Sequence, residues 1–249
     1  LDINIEEKQT GTVNAGVSIG SLDGFAIVAG LSERNFYGTG RSLNALINTS
    51  DKKNEFTLNT SDRLFYENNV DISYKANYKE LDYSSSSSYN LNSLSTGVSL
   101  SYDYNSKIRH SIGLDYILKD YEITNRSTVS SSIAATEGGN ASFLLTNNLY
   151  FSTLNSIYRP KNGQMINFTN FLETPSSSSN GYIKNILTIK NYKSIGKNII
   201  SNQTRFGNIL SLSNNDILTD DKFSLGGKWL RGFDLYGAGP RNSRTSYIG

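Results

Sequence analysis

Apolar and polar residues alternate with a period of two along most of this chain. The clearest run is 70–79, where Val70, Ile72, Tyr74, Ala76 and Tyr78 interleave with Asp71, Ser73, Lys75, Asn77 and Lys79. Successive side chains of a strand point to opposite faces, so this run predicts a strand with one apolar and one polar face. Val98, Leu100, Tyr102 and Tyr104 alternate in the same way with Gly97, Ser99, Ser101 and Asp103. After a polar turn at 105–107, Ile108, Ile112, Leu114, Tyr116 and Leu118 continue against Arg109, Ser111, Gly113 and Asp115. Together these two runs predict a hairpin.

Weaker alternation predicts further strands over 11–18, 25–31, 42–48, 55–61, 142–151, 164–172, 182–192 and 199–208. No segment of ten or more residues keeps a 3.6 period with caps, so no helix is predicted. Eleven strands, with a twelfth beginning at 247–249, make a long antiparallel meander. Turns at 105–107 and 196–198 are short and follow even-numbered strands, whereas the polar connections 84–88, 127–140 and 176–180 are longer and follow odd-numbered ones. That asymmetry is the pattern of an outer-membrane barrel. A soluble β-sandwich also alternates. The length of the strands, and the Tyr and Phe that crown their apolar faces, favour the barrel.

Composition sharpens this picture. Only 18% of residues are charged, against 21 Gly, 16 Tyr, 3 Pro and 1 Trp, a balance that disfavours helices. With 24 Lys+Arg against 22 Asp+Glu, nothing suggests a nucleic-acid footprint. Cysteine is absent, which removes disulfides, thiolate metal sites and Cys nucleophiles. No run approaches the ~18 apolar residues of a membrane helix, a test that barrel strands evade. Without a starting Met or a signal-peptide pattern, and with an apolar run cut short at the end, the chain reads as a fragment.

Candidate chemistry is sparse. His110 is the sole histidine, and its neighbours Arg109 and Ser111 would point to the opposite face of a strand, so the three cannot converge on a substrate. Asp216, Asp220 and Asp221 lack the spacing of a calcium loop and read as a solvated loop. Gly38-Thr39-Gly40 is followed by no Lys-Ser/Thr pair and opens no helix, so it is not a phosphate loop. No catalytic residue, cofactor or metal is expected, and the protein is not expected to be an enzyme. Two segments stand out instead. In Glu33-Arg34-Asn35-Phe36-Tyr37-Gly38-Thr39-Gly40 an aromatic pair precedes two glycines, as suits a turn needing positive φ with aromatics at an interface. In Phe223-Ser224-Leu225-Gly226-Gly227-Lys228-Trp229-Leu230-Arg231-Gly232-Phe233, continued by Gly237-Ala238-Gly239-Pro240-Arg241, the sole Trp and several glycines surround an Arg between apolar residues. If buried, that Arg needs a carboxylate or carbonyls; the alternative is an exposed extracellular loop.

Glu7-Lys8-Gln9-Thr10-Gly11, Gly16-Val17-Ser18-Ile19-Gly20 and the block from Glu33 to Gly40 resemble the start of the barrel in the BamA family of outer-membrane protein insertases, the POTRA-barrel superfamily. Leu230, Arg231, Gly232 and Phe233, with Gly239-Pro240-Arg241, resemble the inward-folded sixth extracellular loop of that family. The resemblance implies an all-β fold, the first twelve or so of sixteen strands of an antiparallel transmembrane β-barrel. Residues 1–7 would end the last periplasmic POTRA domain, and residues 8–249 would form barrel, with the inward loop over about 211–244. Asn35, Phe36, Tyr37, Gly38, Thr39 and Gly40 would form a periplasmic turn. Arg231 would be held in the lumen by an acidic residue beyond Gly249. The family works by inserting barrel proteins into the bacterial outer membrane. Its implied partners are unfolded outer-membrane clients, outer-membrane lipids and, through POTRA domains, assembly-complex lipoproteins.

The first strand fits such work. Gly11, Thr12, Val13, Asn14, Ala15, Gly16, Val17 and Ser18 offer little side-chain packing, so pairing along this edge would be weak and its register loose. An incoming strand could then add to it. A glycine-rich strand could equally serve only to ease curvature. TamA-like and two-partner-secretion barrels share the Arg-Gly-Phe loop and remain open alternatives; a passive porin or a β-sandwich adhesin would lack the opening block.

Overall fold

A computed structural model describes residues 8–20, 24–66, 70–175, 181–213, 217–218, 220–226, 229–233 and 237–239. The expectations for 1–7, for Asp216, for the 176–180 connection and for a strand at 247–249 lie outside them. Eleven strands form one antiparallel sheet in strict chain order. They are β1 Gly11–Gly20, β2 Gly24–Glu33, β3 Ser42–Ser50, β4 Lys53–Tyr66, β5 Val70–Asp82, β6 Tyr89–Asn105, β7 Ile108–Ile123, β8 Gly138–Ser152, β9 Gly163–Glu173, β10 Tyr182–Ile195 and β11 Asn198–Ser211. Every predicted strand is present, and most run several residues longer than alternation alone marked. Polar ends such as Gly138-Gly139-Asn140 pair through their backbones, which hydropathy does not record.

The polarity of the sheet is inverted relative to a soluble core. On β6, Leu94, Val98, Leu100, Tyr102 and Tyr104 lie on the exposed face, and on β7 so do Ile112, Leu114, Tyr116 and Leu118. Their polar neighbours Ser95, Ser99, Ser101, Ser111 and Asp115 occupy the other, partly covered face. The outward row of β6 from Leu94 to Tyr104 spans ten residue steps, about 34 Å along the strand. A tilt of ~40° shortens it to about 26 Å, the height of an outer-membrane apolar band. Tyr102 packs edge-on against Tyr104 at 5.0 Å, and His110 stacks on Tyr104 at 6.4 Å, forming an aromatic cluster beside the 105–107 turn. Tyr74 is exposed as expected. Ile72, on the same row, is buried where it pairs with Asp62 beside the register shift between Asp62 and Tyr66.

Ion pairs line the opposite face. Arg109 reaches Asp71 and, at 3.0 Å, Asp103; Lys75 reaches Asp115 at 3.0 Å; Lys79 and Lys53 flank Glu55. Arg109–Asp71 and Lys75–Asp115 reach over β6, from β5 to β7. The second pair passes directly above Gly97, where a Cβ would lie 2.0 Å from the Asp115 carboxylate. This face is therefore concave and polar.

Two departures from the expected pattern are informative. First, the outward row is not purely apolar. Asn147, Asn170, Asn185 and Asn208 stand in register across β8 to β11, between the apolar rungs Leu145-Leu172-Ile183-Leu210 and Leu149-Phe168-Leu187-Phe206. They answer one another: Asn170 Nδ2 donates to Asn185 Oδ1 at 2.7 Å, and Asn147 Oδ1 meets His110 Nε2 at 2.7 Å. Second, the small apolar core that does exist sits at the long-loop end of the concave face, where Tyr89, Leu91, Tyr121, Val129, Ile133 and Leu218 cluster. Two one-turn helices, Ser84–Ser87 and Ser131–Ala134, form in connections expected to be loops. Ser130 caps the second by accepting from the Ile133 N–H at 3.3 Å. Four residues are too few to leave a helical period in the sequence.

Placing arginine at Leu114, mid-strand on the outward face, should cost about 2–4 kcal/mol of barrel stability, while Ser99→Lys on the concave face should cost far less; urea titration in lipid, followed by heat-modifiable mobility, separates the two. Asn185→Leu strands the Asn170 amide in the apolar band and should destabilise by about 1–2 kcal/mol. The double change Asn170→Leu/Asn185→Leu should recover most of that loss in the same titration.

Candidate functional site

The first strand is the barest element of the sheet. All ten residues of β1 are exposed, with Val13 at 77%, Val17 at 72% and Ile19 at 86%. It pairs with β2 from Gly11↔Glu33 to Gly20↔Gly24, and its other edge carries no strand among the described residues. The outward row nevertheless continues onto it, because Val13, Val17 and Ile19 face Leu31, Ile27 and Phe25. Thr12, Asn14 and Ser18 present small polar groups to the concave side, and Gly16 presents no side chain. A Cβ added at Gly16 would meet nothing within 4 Å. Half of this strand's backbone donors and acceptors are therefore open for pairing.

Its base, by contrast, is tied. The Glu33 carboxylate accepts from the Thr10 hydroxyl and, at 2.8 Å, from the Asn35 N–H. It packs so closely on Gly11 that a Cβ there would lie 2.9 Å from it. The turn that follows holds itself together: Gly40 N–H donates to Asn35 Oδ1 at 2.7 Å, and Phe36 N–H donates to the Arg41 carbonyl at 2.8 Å. Gly38 and Gly40 take positive φ, at 72° and 74°, as their type suggests. Tyr37 also does, at 52°, and projects its ring almost fully exposed beside Phe36.

The loop after β11 runs back over the concave face. At its root, Lys119 of β7 donates to Asp220 at 2.9 Å and to both oxygens of Asp221 at 2.8 and 2.9 Å. The Tyr121 hydroxyl donates to Asp220, the Tyr182 hydroxyl to Asp221 at 3.3 Å, and Lys184 Nζ to the Asp221 carbonyl at 2.6 Å. Strands β7 and β10 stand three apart in the sheet, roughly 14 Å, so one carboxylate touching both measures how strongly the wall curves. Burial, and then the adjacent Asp220 carboxylate, push the Asp221 carboxyl up to about 7. Further along, the Phe223 ring lies flat on Gly207, where a Cβ would be 2.5 Å from it, with Lys184 Nζ 4.6 Å from the ring centre. Trp229 stacks on the Arg205 guanidinium at 4.1 Å. Leu225 and Ala238 bridge to close the loop on itself.

Leu230, Arg231, Gly232 and Phe233 are exposed, and no carboxylate within ion-pair distance of Arg231 is found among the described residues. The expectation that Asp220 and Asp221 form a solvated loop is overturned. Both side chains are about nine-tenths buried against Lys119. A two-Asp run carries no mark of its partner when that partner lies about a hundred residues earlier on a strand. Lys119 continues the inward row of Arg109, Ser111 and Asp115 just past the end of the predicted run, where the alternation gave no reason to single it out. Arg109 and His110 point to opposite faces as predicted, one to Asp71 and Asp103, the other to Asn147.

These features meet a consistent set of likenesses. A family model described as the Omp85 superfamily domain matches residues 35–249. A protein named outer membrane protein assembly factor BamA, from Neorickettsia risticii (strain Illinois), is 21% identical over 248 residues, covering 98% of this chain and 33% of its own length. Its namesake from Buchnera aphidicola subsp. Acyrthosiphon pisum (strain APS) is 23% identical over 206 residues, covering 80% and 31%. The chain thus spans about a third of the curated relatives it matches. The crystal structure of BamA from Haemophilus ducreyi lacking POTRA domains 1–3 superposes with a TM-score of 0.82 at 22% identity, over 95% of this chain and 48% of that one. The shared fold is an antiparallel transmembrane β-barrel. With the family model covering most of the sequence, the chain belongs to the Omp85 superfamily.

Proposed function

We infer that this chain supplies part of an outer-membrane barrel that inserts and folds other barrel proteins, using the open edge of β1 as the site of strand addition. What supports this reading is the make-up of β1: a base tied through Glu33 to Thr10 and Asn35, and from Thr12 to Ser18 only small side chains along an edge that no described strand covers. An incoming strand gains main-chain hydrogen bonds there, and no bond is made or broken, so the activity needs no catalytic residue or cofactor. The small polar side chains of the concave row let the register of the incoming strand vary between clients. Unfolded outer-membrane proteins are the clients, and lipid of the outer membrane surrounds the apolar band. Assembly-complex lipoproteins would act through POTRA domains. Asn35 to Gly40 fit a periplasmic turn, with Phe36 and Tyr37 at the interface.

Cysteine placed at Asn14 or Ser18 of the full-length protein should form disulfides with cysteines in the terminal strand of a client during its assembly. Cross-links confined to the protein's own strands would exclude β1 as the site. Arg231→Ala should loosen the loop and lower client assembly several-fold while the barrel remains folded by heat-modifiable mobility. Normal assembly in that variant would remove Arg231 from the mechanism.

A further inference from the structure

The most buried ion pairs among the described residues lie at the root of the loop after β11, and the strand-addition reading does not use them. Lys119 and Asp221 are each about 10% exposed at the side chain and Asp220 12%, whereas Arg109–Asp103 and Lys75–Asp115 each keep one partner more than 40% exposed. Glu173 of β9, 1% exposed, adds its charge to the same field. Its Oε1 accepts from the Ser142 hydroxyl at 3.0 Å, and its Oε2 has no hydrogen-bond partner among the described residues. Three carboxylates therefore crowd one ammonium, since Lys184 turns its own to the Asp221 carbonyl and the Phe223 ring.

Such a cluster resists separation more than a surface pair does. Lifting the loop root away would take two of the three carboxylates from Lys119 and leave it Glu173 of β9. Breaking a buried pair costs far more than forming it gains. Farther along the loop is less covered: Phe223 rests on Gly207 and Trp229 stacks on Arg205, but Leu225, Trp229, Leu230, Arg231 and Phe233 are all exposed. We propose that Lys119 is a positioning residue that clamps the loop root to β7 through Asp220 and Asp221, so that the segment from Trp229 to Phe233 swings about this fixed point and never leaves the concave side. The clamp is separate from the Arg231 position, being built by a different strand and a different part of the loop. That the swing serves client insertion rests on the function proposed above; the clamp does not.

The test uses the full-length protein in native membranes, with Leu218→Cys as reporter. Leu218 is 6% exposed inside the apolar cluster of Tyr89, Leu91, Tyr121, Val129 and Ile133, so a membrane-impermeant maleimide reaches a cysteine there only when the root lifts. Lys119→Met should raise the labelling rate at least tenfold, with heat-modifiable mobility unchanged, and the exchanged pair Lys119→Asp/Asp221→Lys should bring it back towards the parent. Should Lys119→Met fail to fold, Asp220→Asn/Asp221→Asn, which alters only the loop, should give the same rise. Unchanged labelling in these variants overturns the clamp, as does a rise that the exchanged pair does not reverse, since simple loss of packing would behave that way. Increased labelling with undiminished client assembly upholds the clamp and severs it from insertion. Failure of the β1 cross-links with the labelling response intact removes the insertase reading alone.

Discussion

A strand that crosses a lipid layer has one place to satisfy each backbone N–H and C=O: the strand beside it. Ten interstrand ladders meet that demand here, from β1·β2 to β10·β11. The whole organisation of the sheet follows from it. Because hydrogen bonding fixes the strands side by side, alternation can sort the side chains into an apolar row for lipid and a polar row for the concave interior. Because every ladder is antiparallel and sequential, the connections fall alternately at two ends, with the tight turns 106–107 and 196–197 at one and the folded connections 83–88 and 124–137 at the other. Among the described strands the outer edges of β1 and β11 carry no ladder, and the function is proposed to lie at the first.

Polar groups inside this architecture are managed in two ways. On the outward face the Asn147–Asn208 rung cancels part of its own cost where Asn170 donates to Asn185 and Asn147 meets His110 on the neighbouring strand. On the concave face, charges cross over small residues. Lys75 and Asp115 meet above Gly97 because no side chain rises from it. These partly hydrated pairs contribute little to stability individually; the Lys119 cluster differs because loop, strand and apolar cap exclude water together.

Much of this was legible in the amino-acid order. The two-residue period marked every described strand, but connection length sorted the ends only in part: β3 and β4 are joined by a tight turn at 51–52, while the long connections 34–41 and 153–162 share an end with the tight turns 106–107 and 196–197. The glycines at 38 and 40 announced a left-handed turn. What escaped was of three kinds. Some features are non-local: Asp220 and Asp221 read as solvated because a carboxylate pair looks the same whether it faces water or a lysine a hundred residues away. Others are too short for periodicity to register, such as the single turns at Ser84–Ser87 and Ser131–Ala134. Ile72 shows a third limit: its row was assigned correctly, but the bulge in β4 that accompanies its burial leaves no trace in the alternation of β5. Arg231 remains exposed among the described residues, so the sequence's demand for a partner there finds none on these eleven strands.

Gly207 carries a consequence for how the last described strand breathes. The amides of a strand ordinarily exchange with solvent through small local openings of its ladder. On β11 the Phe223 ring lies across the backbone at Gly207, and Trp229 sits on Arg205 two residues away. Peeling that stretch from β10 means prising off two aromatic rings as well as breaking main-chain hydrogen bonds. Opening of the β10·β11 ladder there and departure of the loop are thereby fused into one cooperative event, and the strand is quieted by a segment that lies outside it.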